Sequence, residues 1–163
     1  MSRKADRSKA RVSRAGEGDE VTPEFSHYVR DNCLCLHVQR AARALARRFD
    51  DELRVVGLSS GQFSLMISLN RVEAPTIGSV SALLAMDRTS LTSNLKPLQR
   101  RRLVTVTVDP DDRRTRRLAL TPAGRTLLAK AAPLWKQAHA DIEHLIIGSA
   151  ADLRATLRTL HQE

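Results

Sequence analysis

The run from Met86 to Leu103 constrains the chain most. Its apolar residues Leu91, Leu95 and Leu98 recur at i, i+4 and i+7, so a helix would gather them on one buried face. The opposite face would carry Arg88, Thr89, Thr92, Ser93 and Lys96, cations and short hydrogen-bonding side chains with no acid among them. Asp87 precedes them as an N-cap, its carboxylate able to accept from amides of the first turn. A solvated surface helix would show the same two faces, so the neighbouring segments must decide what this one is for.

Directly after it the period changes. Leu103–Asp109 alternates branched apolar residues with Thr, Pro110-Asp111-Asp112 is a turn, and Arg116–Leu120 alternates again. This predicts a two-stranded hairpin with Arg113, Arg114, Arg116 and Arg117 on its tip and return strand. Directly before the run, Thr76 caps a short helix with Ile77, Val80, Leu83 and Leu84 on its core side. Two short helices joined by a tight turn, the second cationic outside, make a helix-turn-helix. The formal net charge of the 163 residues is +9, and +5 of it falls between Met86 and Leu118. Basic charge therefore gathers where a winged helix would meet DNA. Aromatic residues make up only 3% of the chain, which counts against a single-strand RNA binder that stacks bases. Composition alone does not choose between DNA, RNA and membrane; it is the winged-helix arrangement that makes double-stranded DNA the expected partner.

The flanks are helical. From Pro23 to about Val56 the residues Leu34, Val38, Ala41, Leu45, Phe49, Leu53 and Val56 fall three or four apart, one long helix that Gly57 can end in a left-handed conformation. Ser59 and Gln62 fit a capping box for a second helix with Phe63, Met66 and Ile67 inward, stopping near Asn70 before Ala74-Pro75. Thr121-Pro122 opens a helix to about Ile147, about 39 Å long at the usual rise. Its seam is Leu127, Ala131, Leu134, Ala138, Ile142 and Leu145, and Pro133 should kink it. Ser149 with Asp152 opens a last helix bearing Leu153, Leu157 and Leu160. Residues 1–22, with six Lys/Arg and almost no large apolar side chain, read as a disordered basic arm.

The expected fold is mainly α with a small β-hairpin wing: a winged helix-turn-helix lobe over residues 58–121, between dimerisation helices at 23–57 and 122–163. The terminal helices carry more apolar surface than one small lobe can cover, and a second copy would bury the excess. No apolar run approaches the length of a bilayer span, and the basic N-terminus lacks an apolar signal core. A cytoplasmic protein with no membrane partner is the reading.

The chain resembles the MarR family of transcriptional regulators from about Phe25 to Leu160. The resemblance rests on Gly57-Leu58-Ser59 with Gln62-Phe63, on Thr76-Ile77-Gly78, and on Met86-Asp87-Arg88-Thr89-Ser90-Leu91-Thr92 with Asn94-Leu95. To these it adds the Asp112-Arg113-Arg114 wing and Leu120-Thr121-Pro122-Ala123-Gly124, all in the family's order and spacing. It implies a homodimer that represses a nearby operon from a roughly palindromic operator and lets go when a small-molecule effector or oxidant acts. It also implies that Arg88, Thr89, Ser90, Thr92 and Ser93 face the major groove, with Lys96 nearer phosphate. Arg114, flanked by Arg113 and Arg116, would enter the minor groove. One position departs: where the family commonly has glycine after the recognition helix, this chain has Arg102. A left-handed backbone there would cost about 1 kcal/mol; a different helix end would instead add a phosphate contact.

Effector chemistry is less marked. Family pockets lie between the first helix and the DNA-binding lobe, where His37, Arg40, Arg43 and Phe63 could hold a carboxylate or an acyl-CoA phosphate. A solvated face explains the three cations equally well. Cys35, 22 residues before Gly57, matches the peroxide-sensing cysteine of the OhrR branch. The tyrosines that serve that cysteine correspond here to Gln39, Phe49 and Ser60, so Cys35 is taken as a small packed helix residue, with a redox role as the alternative. Cys33 and Cys35, two apart on one helix, point to different faces and are not expected to pair. His139 and Glu143 stand at i and i+4 without a metal motif and read as surface polars. No metal, cofactor or catalytic motif is expected. The functional rivals are a thiol-switched repressor using Cys35 and a basic architectural protein that coats DNA without sequence choice.

Overall fold

The computed structural model describes residues 21–160, so the basic arm expected over residues 1–22 lies almost wholly outside the described residues. The chain divides into two compact units, one ending at Ala41 and the other formed by Ala42–Glu163.

In the first unit, α1 (Pro23–Asn32) has Thr22 as N-cap, its hydroxyl accepting from the Phe25 N–H at 3.3 Å, and proline in the first turn. The single helix expected from Pro23 to Val56 is in fact two. Cys33 is extended (φ −74°, ψ 107°), and α2 (Leu34–Leu53) begins after it. Cys33 holds both helix ends. Its N–H donates to Val29 O at 2.9 Å, closing α1, while its carbonyl accepts from the His37 N–H at 3.1 Å and its Sγ from the Leu36 N–H at 3.5 Å, opening α2.

The second unit carries the core. After α2 comes a 3₁₀ turn (Arg54–Val56), then α3 (Ser60–Ser68), α4 (Ile77–Leu83) and α5 (Arg88–Arg100). The hairpin β1 (Val104–Val108) and β2 (Arg116–Leu120) follows, paired antiparallel from Val104 opposite Leu120 to Val108 opposite Arg116. The long α6 (Pro122–Glu143) and α7 (Ala150–Thr159) end the chain. Leu53, Leu65, Met66, Val80, Leu91, Leu98 and Leu118 are fully buried and bring α2, α3, α4, α5 and β2 onto one core. Each contributes about 1.5–3 kcal/mol by leaving water.

The predicted caps are present. Ser59 and Gln62 form the capping box of α3, and the side chains of Thr76, Asp87 and Thr121 accept at the starts of α4, α5 and α6. Three helix ends close in the same way, with a left-handed residue and paired back-bonds. Gly57 (φ 67°) ends the 3₁₀ turn, Ala85 (φ 47°) follows α4, and Arg102 (φ 57°) follows α5. At the last, the Arg102 N–H donates to Gln99 O at 2.8 Å and the Leu103 N–H to Leu98 O at 2.9 Å, with Leu98 and Leu103 both buried. The left-handed option for Arg102 is therefore the one the chain adopts.

Four details of the seams differ from expectation. Ile67 and Leu83 are 46% and 53% exposed, because Leu65, Leu69 and Val80 fill the core from those short helices. In α6, Leu128 is buried where Leu127 was expected and Leu127 is half-buried, so the stripe is one residue over at its start. That helix also stops at Glu143 rather than Ile147: the Leu145 and Ile146 amides fall back on Ile142 and Glu143 carbonyls at i−3 spacing, a tightened last turn. Leu145 is left exposed.

Candidate nucleic-acid interface

The α5 helix is seated by its apolar stripe. Leu91, Leu95 and Leu98 are at most 5% exposed, which leaves the opposite side outward. There Arg88, Thr89, Thr92, Ser93, Lys96 and Arg100 line one shallow groove. At its start Asp87 accepts from the Ser90 N–H at 2.8 Å and from the Ser90 hydroxyl at 2.7 Å. Those two bonds, the amide first, hold the Asp87 carboxyl below the usual range, so it stays ionised against the positive end of the helix. Ser90 was expected on the reading face, but it is half-buried with its hydroxyl on Asp87, outside that groove. The Thr92 and Ser93 hydroxyls donate back to the Arg88 and Ser90 carbonyls at 2.7 and 2.8 Å. Both are exposed, so each can turn to a ligand by rotating one bond.

The wing is shaped by its own acids. Asp109, 5% exposed, accepts from the Asp111 and Asp112 amides at 2.9 and 3.3 Å and from Arg117 Nε at 2.5 Å. Arg117 in turn donates to Ala74 O at 3.0 Å, which fastens the return strand to the segment before α4. The Asp111 amide and then Arg117 keep the Asp109 carboxyl below its ordinary range. Asp112 accepts from the Thr115 hydroxyl at 2.7 Å and the Arg114 N–H at 2.9 Å, and these lower its carboxyl in that order. Arg113 and Arg114 stay exposed at the tip, while Arg116 folds back onto the Arg113 and Thr115 carbonyls at 2.7 and 3.2 Å. Sequence reasoning missed Asp109 and Arg117 as wing-shaping residues. An Asp followed by Pro at the end of a strand is an available signal for such a side-chain-stapled turn.

The expected effector residues divide between the units: His37 and Arg40 lie in the first, Arg43 and Phe63 in the second. Nδ1 of His37 is 2.9 Å from Cys33 O, and Arg40 and Arg43 are exposed. Phe63 is buried and stacks with Trp135 (centroids 6.1 Å apart), whose ring also stacks with Phe49 at 6.2 Å and His139 at 4.7 Å. Cys35 is exposed rather than packed, and Gln39 supplies a donor, Nε2 standing 3.2 Å from its Sγ. His139 lies 3.3 Å from Glu143, but Arg154 also donates to that carboxylate at 2.5 Å and holds it below its usual range, leaving it in an ion pair. No described helix is long and apolar enough to cross a membrane.

A helix-turn-helix with an arginine-tipped hairpin after it and long helices around it defines a winged helix-turn-helix protein. No family model matches the chain. Among solved structures it is similar to the transcriptional regulator MosR of M. tuberculosis in complex with DNA, at 34% identity and a TM-score of 0.73, covering 80% of this chain and 95% of that one. A MarR-family regulator from Rhodococcus sp. RHA1 shares the fold, at 22% identity and a TM-score of 0.70 over 80% of this chain and 94% of that one. In sequence it is 26% identical over 147 residues to the organic hydroperoxide resistance transcriptional regulator of Bacillus subtilis, covering 86% of this chain and 97% of that protein. The chain belongs to the MarR family of transcriptional regulators.

Proposed function

We propose that the chain acts as a homodimeric, sequence-specific DNA-binding repressor that leaves a roughly palindromic operator when an effector binds. The observation that carries this is the acid-free outer face of α5 beside a wing whose Asp109 and Asp112 are turned onto its own backbone, with Arg113 and Arg114 pointing outward. In this reading Arg88 reads bases in the major groove, Thr89, Thr92 and Ser93 make adaptable contacts, and Ser90 fixes the cap. Lys96 and Arg100 meet phosphate, Arg114 enters the minor groove, and Arg113 and Arg116 flank it.

The dimer is supported by apolar side chains left in water. Phe25 and Val29 on α1, and Leu153 and Leu157 on α7 with Leu160 just past its end, recur at helical spacing and are 37% to 65% exposed. The domain reading follows from it: residues 23–57 and 122–163 associate, and 58–121 reads DNA. His37, Arg40 and Arg43, spaced along α2, favour an anionic effector.

The test is a gel-shift titration against the palindrome upstream of the protein's own gene, with random duplex as control. The expected result is a clear preference for the palindrome. Equal binding to both, with a steep salt dependence, would instead establish the architectural alternative.

A further inference from the structure

We propose that Asn94 and Arg101 are positioning residues that fix the angle of the reading helix, and so set the half-site spacing that the dimer accepts. All the groups involved lie in the second unit. Seven residues apart, the two return to one side of α5 after two turns. That side is neither of the two already described. The buried stripe is Leu91, Leu95 and Leu98, and the outward groove runs through Arg88, Thr92, Lys96 and Arg100. Asn94 and Arg101 instead meet residues 57–61, the segment that leads from the 3₁₀ turn into α3.

Both contacts are made at glycines. Arg101 Nη1 donates to the Gly57 carbonyl at 2.5 Å. A Cβ on Gly57 would meet Nη2, Nη1 and Cζ of Arg101 at 3.5, 3.8 and 3.9 Å, so the guanidinium lies over that residue. Arg101 forms no ion pair among the described residues, and its charge is directed at this carbonyl. Two turns earlier, a Cβ on Gly61 would stand 3.0 Å from Asn94 Oδ1 and 3.5 Å from Nδ2. Nδ2 itself donates to the Ser90 carbonyl at 3.0 Å, so Asn94 is held by its own helix as it abuts Gly61. The same segment is gripped from α2, where Asp50 Oδ1 accepts from the Ser60 N–H at 2.6 Å.

Leucine burial holds α5 on the core but has no direction, so it fixes depth better than angle. A directed hydrogen bond and a close contact about 10 Å apart along the axis supply the angle. A slip of about 1 Å at one of them turns the helix by about 5°. Each reading face is thus set against the end of its own α2, and the separation of two such faces follows. That last step rests on the proposed reading of the chain as a homodimeric repressor.

The test measures binding of the full chain to three duplexes: the palindrome upstream of its own gene, that palindrome with one base pair added between the half-sites, and a single half-site. Arg101→Ala, at an exposed position, should lose roughly tenfold on the palindrome. It should keep its half-site affinity within about twofold and be penalised less than the wild type by the added base pair. Arg101→Lys, which still has an N–H for the Gly57 carbonyl, should recover most of the loss. Gly61→Ala, whose Cβ displaces Asn94, should repeat the Arg101→Ala pattern; without it the role of Asn94 falls. An equal loss on palindrome and half-site overturns the proposal, and a salt slope lowered by about one would then mark Arg101 as a phosphate contact. No loss on either duplex overturns it too. In the free protein the Gly57 carbonyl carbon resonance should move upfield in Arg101→Ala, and an unmoved resonance overturns the Arg101 contact. A wild-type chain that binds palindrome and random duplex alike instead counts against the repressor reading, and the Gly57 resonance then decides the contact alone.

Discussion

Ala85, in the turn between α4 and the reading helix, and Arg102, just past that helix, hold left-handed backbone, and neither is glycine. Each side chain costs about 1 kcal/mol against glycine in that conformation. Ala85→Gly and Arg102→Gly are each expected to raise the unfolding midpoint by a few degrees in thermal melts, with the back-bonds of the cap retained. The second was legible in the sequence, because a glycine was expected at residue 102; the first was not, since Leu84-Ala85-Met86 contains no turn residue. The reading residues separate by kind of contact. Arg88→Ala should cost about 1–3 kcal/mol of operator binding and relax preference at one base pair, whereas Lys96→Ala should weaken all sequences alike and lower the salt slope by about one. Quantitative gel shifts over a salt series and an operator-variant panel separate the two.

At the scale of elements, the wing depends on charge. The Asp109 and Asp112 carboxyls lie below their ordinary range, so the folded wing binds fewer protons than the unfolded chain near pH 4. Their contribution is complete above the unfolded value, about 3.9, and is lost as pH falls through the lower folded values. Amides of Asp111, Asp112 and Arg114 should therefore lose exchange protection below about pH 4, ahead of the amides inside α3 beyond Ser60, whose own amide donates to Asp50. Asp109→Asn should weaken operator binding roughly tenfold, as if a wing-tip contact were lost, while α5 stays folded by circular dichroism. The hairpin itself could be read from its alternation and Pro110, as α4, α5 and α6 could be read from Thr76, Asp87 and Thr121-Pro122. Buried side-chain bonding could not: Asp109 sits among other acids, and only its partners reveal its role. The α1–α2 break was hidden for a related reason. Cys33 does the capping, and neither proline nor glycine marks the site. Short helices such as α3 and α4 span too few turns for spacing alone to decide whether Ile67 or Leu83 faces inward.

For the whole molecule, association and DNA binding are proposed to be coupled. Leu157→Glu, on the exposed stripe of α7, should leave a folded monomer by analytical ultracentrifugation. It should also lower affinity for a two-half-site duplex by roughly 10²–10⁴, since the second half-site would no longer be held at high effective concentration. Within the second unit, one contact bears on how such coupling is transmitted. A Cβ at Gly124 would stand 2.1 Å from the Leu103 carbonyl oxygen, and that same oxygen accepts from the Thr121 N–H at 3.0 Å. The end of α5, the root of the wing and the first turn of α6 thus meet at one carbonyl oxygen, which the Thr121 hydroxyl also reaches at 3.3 Å. The 22 residues of α6 make a lever about 33 Å long, with its fulcrum at the reading head. A tilt of about 5° about that joint moves the far end of such a rod by about 3 Å, so small displacements at the end of α6 correspond to small rotations at the reading head.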